Sequence, residues 1–83
     1  MNKILVLVYV PEIEQEYDIY IPINKKIGTI KKVIINSIIE LSDGNINNID
    51  NLKLYDKITS KVYENNIMVK DSGIKNGCKL VLM

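Results

Sequence analysis

Four carboxylates near the N-terminus are the residues whose type and spacing could do chemistry. Glu12, Glu14, Glu16 and Asp18 occupy every second position of one short stretch. In an extended chain such side chains point to the same side, so their oxygens would suit a cation such as Ca²⁺ if they also converged. The same alternation is typical of the solvated side of a hairpin. A solvated hairpin and a small metal-binding domain are therefore the two interpretations of this stretch.

No other group of residues in the sequence is suited to catalysis. Cys78 is the single cysteine, and there is no histidine to activate its thiol or to share a zinc ion with it. A glycine-rich phosphate loop is also missing. Cys78 precedes an apolar run, where cysteine commonly serves as a small apolar residue, and a reactive thiol is the alternative. We expect no enzyme activity and no cofactor, and the lack of a disulfide partner fits a reducing compartment.

Lysines supply all of the positive side-chain charge. Eleven lysines and ten acidic residues leave a net charge of +1, and the sequence contains no arginine. A chain without a strong field or a bidentate guanidinium is poorly suited to nucleic acid, so we expect none to bind. Lys25, Lys26, Lys31 and Lys32 cluster around the start of the predicted helix. They form either a solvated face or a docking site for an acidic protein surface.

A chain of 83 residues is the size of one domain, and we place a single domain over residues 1–83. Its N-terminal apolar run, residues 4–10, ends at Pro11 and an acidic stretch. This run is shorter than the roughly 18 residues needed to cross a bilayer, and no small-residue cleavage site follows it. These observations indicate a cytoplasmic protein without direct membrane insertion.

Apolar alternation predicts a sheet. Residues 3–10 are apolar on both sides, as in a central strand, and residues 16–21 alternate, as in a half-buried strand. Pro11 and the polar residues after it predict the turn that joins these two strands in a hairpin. Further strands are predicted at residues 52–55 and 78–82, with a short one at 62–63.

One segment has the apolar spacing of an α-helix. It is predicted to begin at Gly28 or Thr29 and to stop before Gly44, which suits the left-handed end of a helix. Apolar residues at steps of three and four define one face, which we assign to the core. That face comprises Ile30, Val33, Ile34, Ser37, Ile38 and Leu41.

Two other isoleucines of this helix fall outside the predicted core face. Ile35 and Ile39 lie one turn apart, at angles well above roughly 100° from the centre of that face. They either pack under the polar loop at residues 45–51 or form a contact for another protein. They are therefore candidate partner-binding residues.

The outward side of the predicted sheet is the second candidate partner surface. Tyrosines next to aliphatic residues are typical of protein interfaces. The alternative is that lysine stems, such as those of Lys53 and Lys79, cover this side. The candidate residues on the sheet are Leu5, Leu7, Tyr9, Tyr20, Lys53, Tyr55 and Val81.

The order strand, strand, helix, strand, short strand, strand predicts an α+β fold. The first and last strands are both strongly apolar, so we expect them to pair in parallel at the centre, with the helix as the crossover. This arrangement is a β-grasp: a four- to five-stranded mixed sheet packed on one main helix. Ile67 and Val69 would close an open end of the core. A ferredoxin-like fold would need a second helix near residues 56–70, which lack helical periodicity.

Several short motifs resemble those of ubiquitin-like proteins. Residues 52–56 (Leu-Lys-Leu-Tyr-Asp), 69–74 and 79–82 (Lys-Leu-Val-Leu) are similar to ubiquitin's third strand, its tight-turn segment and its closing strand. Within this superfamily the sequence looks closest to the YukD/EsaB group, small bacterial proteins associated with type VII (ESX-like, WXG100) secretion. That likeness rests on Ile-Lys-Lys-Val-Ile at residues 30–34 and on Asp-Ser-Gly-Ile-Lys-Asn-Gly at residues 71–77.

The resemblance implies a non-conjugating ubiquitin-like protein that acts by protein–protein contact, as an accessory component of a type VII secretion system. Conjugating relatives need a flexible Gly-Gly tail, whereas this sequence stops at Met83, directly after the last predicted strand. Lys53 stands where ubiquitin displays an exposed isoleucine, so ubiquitin's partner surface is not carried over. Secretion-system proteins are the expected partners, and a homo-oligomer is compatible with the sequence. A carrier or modifier whose diglycine is absent here, and a metal-binding domain, are the alternatives.

Overall fold

Four strands and one α-helix form the fold within residues 2–44 and 51–83, the part of the chain that the computed structural model describes. The strands β1 and β4 have the predicted bounds, β2 is one residue longer at each end, and the helix begins one residue before Gly28. The elements in chain order are β1 (Lys3–Val10), β2 (Gln15–Pro22), α1 (Ile27–Leu41), β3 (Leu54–Asp56) and β4 (Cys78–Leu82).

The first and last strands lie side by side in the middle of the sheet. The strand order is β2-β1-β4-β3, with β1 and β4 parallel and the other two pairs antiparallel. Because a parallel pair needs a crossover connection, α1 lies in the segment that provides it. The predicted α+β β-grasp with a mixed sheet is confirmed. The short strand predicted at residues 62–63 is a single bridge between Val62 and Tyr55.

The N-terminal hairpin pairs along its whole length, from Lys3 opposite Pro22 to Val10 opposite Gln15. A 3-10 turn at Pro11–Ile13 reverses the chain, and Glu14 follows it at a φ of 51°. Proline suits this first turn position because its φ is already fixed near the required value.

The helix packs on the sheet with part of the predicted face, since Ile30, Ile34 and Ile38 are fully buried, but the buried stripe is rotated toward Ile27 and Ile35. Ile27 and Ile35 are buried, at 0% and 8% exposure, whereas Val33 and Leu41 are 43% and 62% exposed. The centre of the buried residues of α1, which are Ile27, Ile30, Ile34, Ile35 and Ile38, lies roughly 50° around the helix from the centre of the predicted face. Ile35 then falls inside the stripe and Val33 falls outside it. Leu41 is the last residue of α1, where burial ends.

The segment before β4 closes one end of the core, as predicted. Val69 is fully buried and Ile67 is half-buried. Backbone N–H groups of Ile27 and Gly28, at the start of α1, donate to the carbonyls of Ile67 and Asn65 at 2.8 and 2.9 Å. These bonds satisfy N–H groups that the first turn of a helix leaves without an internal partner.

Candidate functional site

Strand alternation builds one continuous surface on the side of the sheet away from α1. Along β1, Val6, Val8 and Val10 have no exposed surface, while Leu5, Leu7 and Tyr9 alternate with them and are half-buried. Such alternation follows from the pleat, which sends successive side chains to opposite faces. β1 therefore contributes an apolar stripe to the outer side.

Pairing across the sheet brings the predicted residues of the other strands to this stripe. Tyr9 lies opposite Glu16 on β2 and Val81 on β4, and Val81 in turn lies opposite Tyr55 on β3. The register likewise places Leu5 opposite Tyr20, which is 67% exposed. We call this surface the outer sheet face. It comprises Leu5, Leu7, Tyr9, Tyr20, Tyr55 and Val81.

Lysines border the outer sheet face on the β3–β4 side. Leu7 lies between Asp18 on β2 and Lys79 on β4. Lys53, the predicted candidate at the start of the third strand, is exposed and pairs through its backbone with Met83 at 2.9 and 3.1 Å. Lys53 therefore stands at the edge of the outer sheet face, two residues before Tyr55.

Lys57 reaches across this surface, which the sequence reasoning did not predict. Its Nζ lies 5.2 Å from the centre of the Tyr9 ring and 3.8 Å from Oε2 of Glu16. The backbone N–H of Lys57 donates to the carbonyl of Lys79, which continues the pairing of β3 with β4 by one residue. The alternation of Lys53, Tyr55 and Lys57 would have placed Lys57 on this face if the predicted strand had been extended past Tyr55.

The loop after β3 is held by one carboxylate. Oδ1 of Asp56 accepts the N–H groups of Ile58 and Thr59 at 2.8 and 3.0 Å, and Oδ2 accepts the hydroxyl of Tyr63 at 3.1 Å. The backbone hydrogen bonds from Thr59 and Ile58 lower the pKa of Asp56. Burial and the Asp56 carboxylate raise the pKa of Tyr63. The loop thus presents Ile58, at 85% exposure, on a hydrogen-bonded support.

Solved structures of low sequence identity share this architecture over the whole chain. The ubiquitin-like domain of the Mycobacterium tuberculosis type VII secretion system protein EccD1 has a TM-score of 0.75 at 13% identity, covering 100% of this chain and 99% of that one. A ubiquitin-like domain of an Arabidopsis thaliana protein has a TM-score of 0.72 at 18% identity, covering 100% of this chain and 78% of that one. This is the ubiquitin-like β-grasp fold.

The ubiquitin-like fold occurs in proteins of different roles. A chain in the toluene 4-monooxygenase HD complex with the inhibitor 4-bromobenzoate has a TM-score of 0.76 at 5% identity, covering 96% of this chain and 95% of that one. No protein-family model matches the sequence, and no curated protein matches it. At these identities the likeness shows the fold alone, so function must be argued from the surface.

The two candidate residues on α1 are not among its exposed side chains. Ile35 is 8% exposed and belongs to the core, and Ile39 is half-buried against that core. The predicted alternative cover for them, the polar loop, lies outside the described residues except for Asn51. The sequence-based hypothesis of an outward patch is therefore wrong for Ile35, which packs in the core because the buried side of α1 is rotated, and it stays a prediction for Ile39.

The polar and charged candidates show no converging ligand set. In residues 2–44 and 51–83, no three His, Cys, Asp or Glu side chains are placed to hold a metal ion. Glu16 instead faces Lys57 across the sheet. Cys78 is half-buried and packs against the core.

Three of the four clustered lysines border one shallow groove. Lys26, Lys31 and Lys32 line it together with Gly28 and Ile35. Backbone carbonyls of residues 65 and 67 already accept the first N–H groups of the helix beside it. In the described part of the chain, no helix is both long and apolar enough to cross a membrane.

Proposed function

We propose that this protein acts by docking to another protein through the outer sheet face, as a non-conjugating accessory component of a type VII secretion system. The observation that carries the proposal is the row Tyr9–Val81–Tyr55, assembled across three strands at the centre and edge of the sheet. Protein interfaces are enriched in tyrosine, and rigid aromatic anchors commonly dominate their binding energy.

The sheet supports this role because it presents the face without rearrangement of the backbone. β1 is hydrogen-bonded to strands on both sides, so Leu5, Leu7 and Tyr9 sit on fixed backbone. Binding would cost this protein little conformational entropy, because its side of the interface is already ordered. A low entropy cost favours affinity for a given contact area. The ion pair of Lys57 with Glu16 would have to open above Tyr9, and exposed pairs of this kind contribute about 1 kcal/mol or less.

The secretion assignment rests on the resemblance of two motifs to one group of proteins, and the fold is compatible with it. The motifs at residues 30–34 and 71–77 resemble the YukD/EsaB group, and here they form the start of α1 and the connection into β4. The fold is also similar to that of the EccD1 domain. We place the protein in the cytoplasm and assign it no catalytic step, so that its mechanism is binding alone.

Affinity purification from the cells that make the protein tests this assignment. A tagged wild-type protein should enrich components of a type VII secretion system, whereas the Leu7→Lys and Val81→Lys variants should lose them. Val33→Lys on the exposed side of α1 is the matched control and should keep them. Circular dichroism verifies that each variant is folded. Equal enrichment by folded Leu7→Lys and Val81→Lys would contradict docking through the outer sheet face.

A denaturing gel of the same purification distinguishes docking from conjugation. A docked partner separates from the tagged chain in denaturant, so the tag should migrate at the 9.5 kDa of the chain plus its own mass. A ladder of tagged species at higher mass that survives denaturation and reduction would instead support the modifier alternative.

A further inference from the structure

Charges of opposite sign border the outer sheet face on its two sides. On β2 the outward positions next to the apolar stripe are Glu16 and Asp18. On the β3–β4 side they are Lys53, Lys57 and Lys79. The apolar row lies between these borders. The surface is therefore acidic at one lateral edge and basic at the other.

A surface with this pattern is complementary to itself in one orientation. If two copies meet face to face about a two-fold axis parallel to the strands, the β2 side of each lies over the β3 side of the other, and β1 lies over β4. Acidic and basic borders then meet twice, once on each side of the axis. A two-fold axis across the strands would instead place acidic border on acidic border, which like-charge repulsion disfavours.

We infer that the outer sheet face binds a second copy of this chain, with the strands of the two sheets running roughly in line. In the assembled pair, Lys57 of one copy exchanges its contact with Glu16 of its own chain for Glu16 of the other copy. The exchange is possible because both side chains are partly exposed to solvent, Lys57 at 40% and Glu16 at 38%. Tyr9, over which Lys57 lies in the single chain, then packs toward Val81 of the second copy.

Two features of the chain set the strength of this association. The net charge of +1 produces little long-range repulsion between copies. The face is four strands wide, and β3 and β4 are only three and five residues long, so we expect a buried area at the low end of known interfaces and rapid exchange of the pair. Self-association would cover the same face that the proposed function assigns to a protein partner, so partner and second copy would compete for it.

Sedimentation velocity of the purified protein tests the inference without any partner. Between about 20 µM and about 1 mM, the sedimentation coefficient should rise from the monomer value toward that of a dimer. Over the same range, amide NMR shifts should move on β1, β4 and β3 near the apolar row. A single monomeric species at every concentration, or shift changes confined to α1, would overturn the inference.

Charge reversals test the predicted orientation. Glu16→Lys and Lys57→Glu should each weaken self-association by about tenfold or more, and the double variant should restore it because the pair is re-formed with exchanged signs. Glu40→Lys and Lys32→Glu change the net charge equally on exposed residues of α1 and should leave self-association unchanged. A double variant as weak as either single variant would refute the pairing of Glu16 with Lys57 between copies.

These results are separate from those of the affinity purification. A protein that stays monomeric but still enriches secretion-system components loses the dimer and keeps the proposed function. A protein that dimerises in the stated orientation but enriches none of them retains the dimer and loses the secretion assignment.

Discussion

The side chain of Asn76 accepts a hydrogen bond from the backbone N–H of Leu5 at 2.8 Å, across 71 positions of sequence. The next residue, Gly77, donates its own N–H to the carbonyl of Leu5 at 2.7 Å and adopts a φ of 84°. Both bonds lie just before β4 begins. They fix the point at which β4 enters beside β1, and with it the register that places Val81 opposite Tyr9.

Replacing Asn76 should therefore weaken the sheet at its centre. We expect Asn76→Ala to lower the free energy of unfolding by about 1 kcal/mol, since a side-chain acceptor for a backbone N–H is lost. Asn76→Asp keeps the acceptor oxygen and should cost less. Urea denaturation measures both, with Lys75→Ala, at the exposed preceding residue, as the control. Equal stability of Asn76→Ala and the wild type would show that water replaces the amide oxygen fully.

The pairing of Asp56 with Tyr63 should make stability depend on pH at both extremes. Hydrogen bonds lower the pKa of Asp56 below its ordinary 3.8, so its contribution is present above about pH 4 and is lost as the pH falls through the lowered value. Burial raises the pKa of Tyr63 above its ordinary 10.0, so its contribution is present below pH 10 and is lost as the pH rises beyond it.

Two variants separate these contributions in thermal unfolding measured across pH. Asp56→Asn should flatten the acid limb of the stability curve, and Tyr63→Phe should flatten the alkaline limb. Glu64→Gln, at an exposed neighbouring residue, serves as the control for the acid limb. An acid limb that is unchanged in Asp56→Asn would mean that other carboxyl groups cause the loss.

Truncations on α1 should distinguish the observed helix rotation from the predicted one. Ile35→Ala is expected to destabilise the protein by about 2–4 kcal/mol, because a nearly buried isoleucine leaves a cavity. Val33→Ala and Leu41→Ala should change stability by about 0.5 kcal/mol or less, as exposed positions do. Denaturant unfolding of the three variants gives the comparison. A larger loss for Val33→Ala than for Ile35→Ala would support the predicted helix face instead.

Calcium should not bind the acidic hairpin. The described carboxylates do not converge, and Glu16 faces a lysine, so we expect no movement of the amide resonances of residues 12–18 on addition of Ca²⁺. The titration is followed by NMR, with Mg²⁺ at equal ionic strength as the control. Saturable shifts that are specific to Ca²⁺ would establish the metal-binding alternative.

The strands could be predicted from sequence because each carries a local signal, a continuous apolar run in β1 and alternation in β2. Residues 3–10 and 78–82 needed no information from elsewhere, and their shared apolar character also predicted that they pair at the centre. The rotation of α1 could not be read with the same certainty, since isoleucines lie on most sides of the helix. Packing against the sheet decides which of them are buried, and it places Ile27 and Ile35 in the core.

The two contacts that the sequence did not reveal both depend on positions far apart in the chain or on turn geometry. Lys57 follows β3 and Glu16 lies on β2, and the two side chains meet only because the sheet places these strands on either side of β1 and β4. Asp56 binds Tyr63 because the intervening loop closes on its carboxylate, with Ser60 in a left-handed conformation. Lys57 and Glu16 each continue a local alternation, but only the assembled fold shows that they meet, and the same holds for Asp56 and Tyr63.

The central position of β1 and β4 has a consequence during synthesis of the chain. β1 is made first and can pair with β2 at once, but its other edge stays open until the residues of β4 have left the ribosome. During that interval the apolar strand edge is available to any other strand. Folding therefore closes with a single late, non-local step, which is slow in topologies of this kind and leaves nascent chains open to aggregation or to chaperone binding.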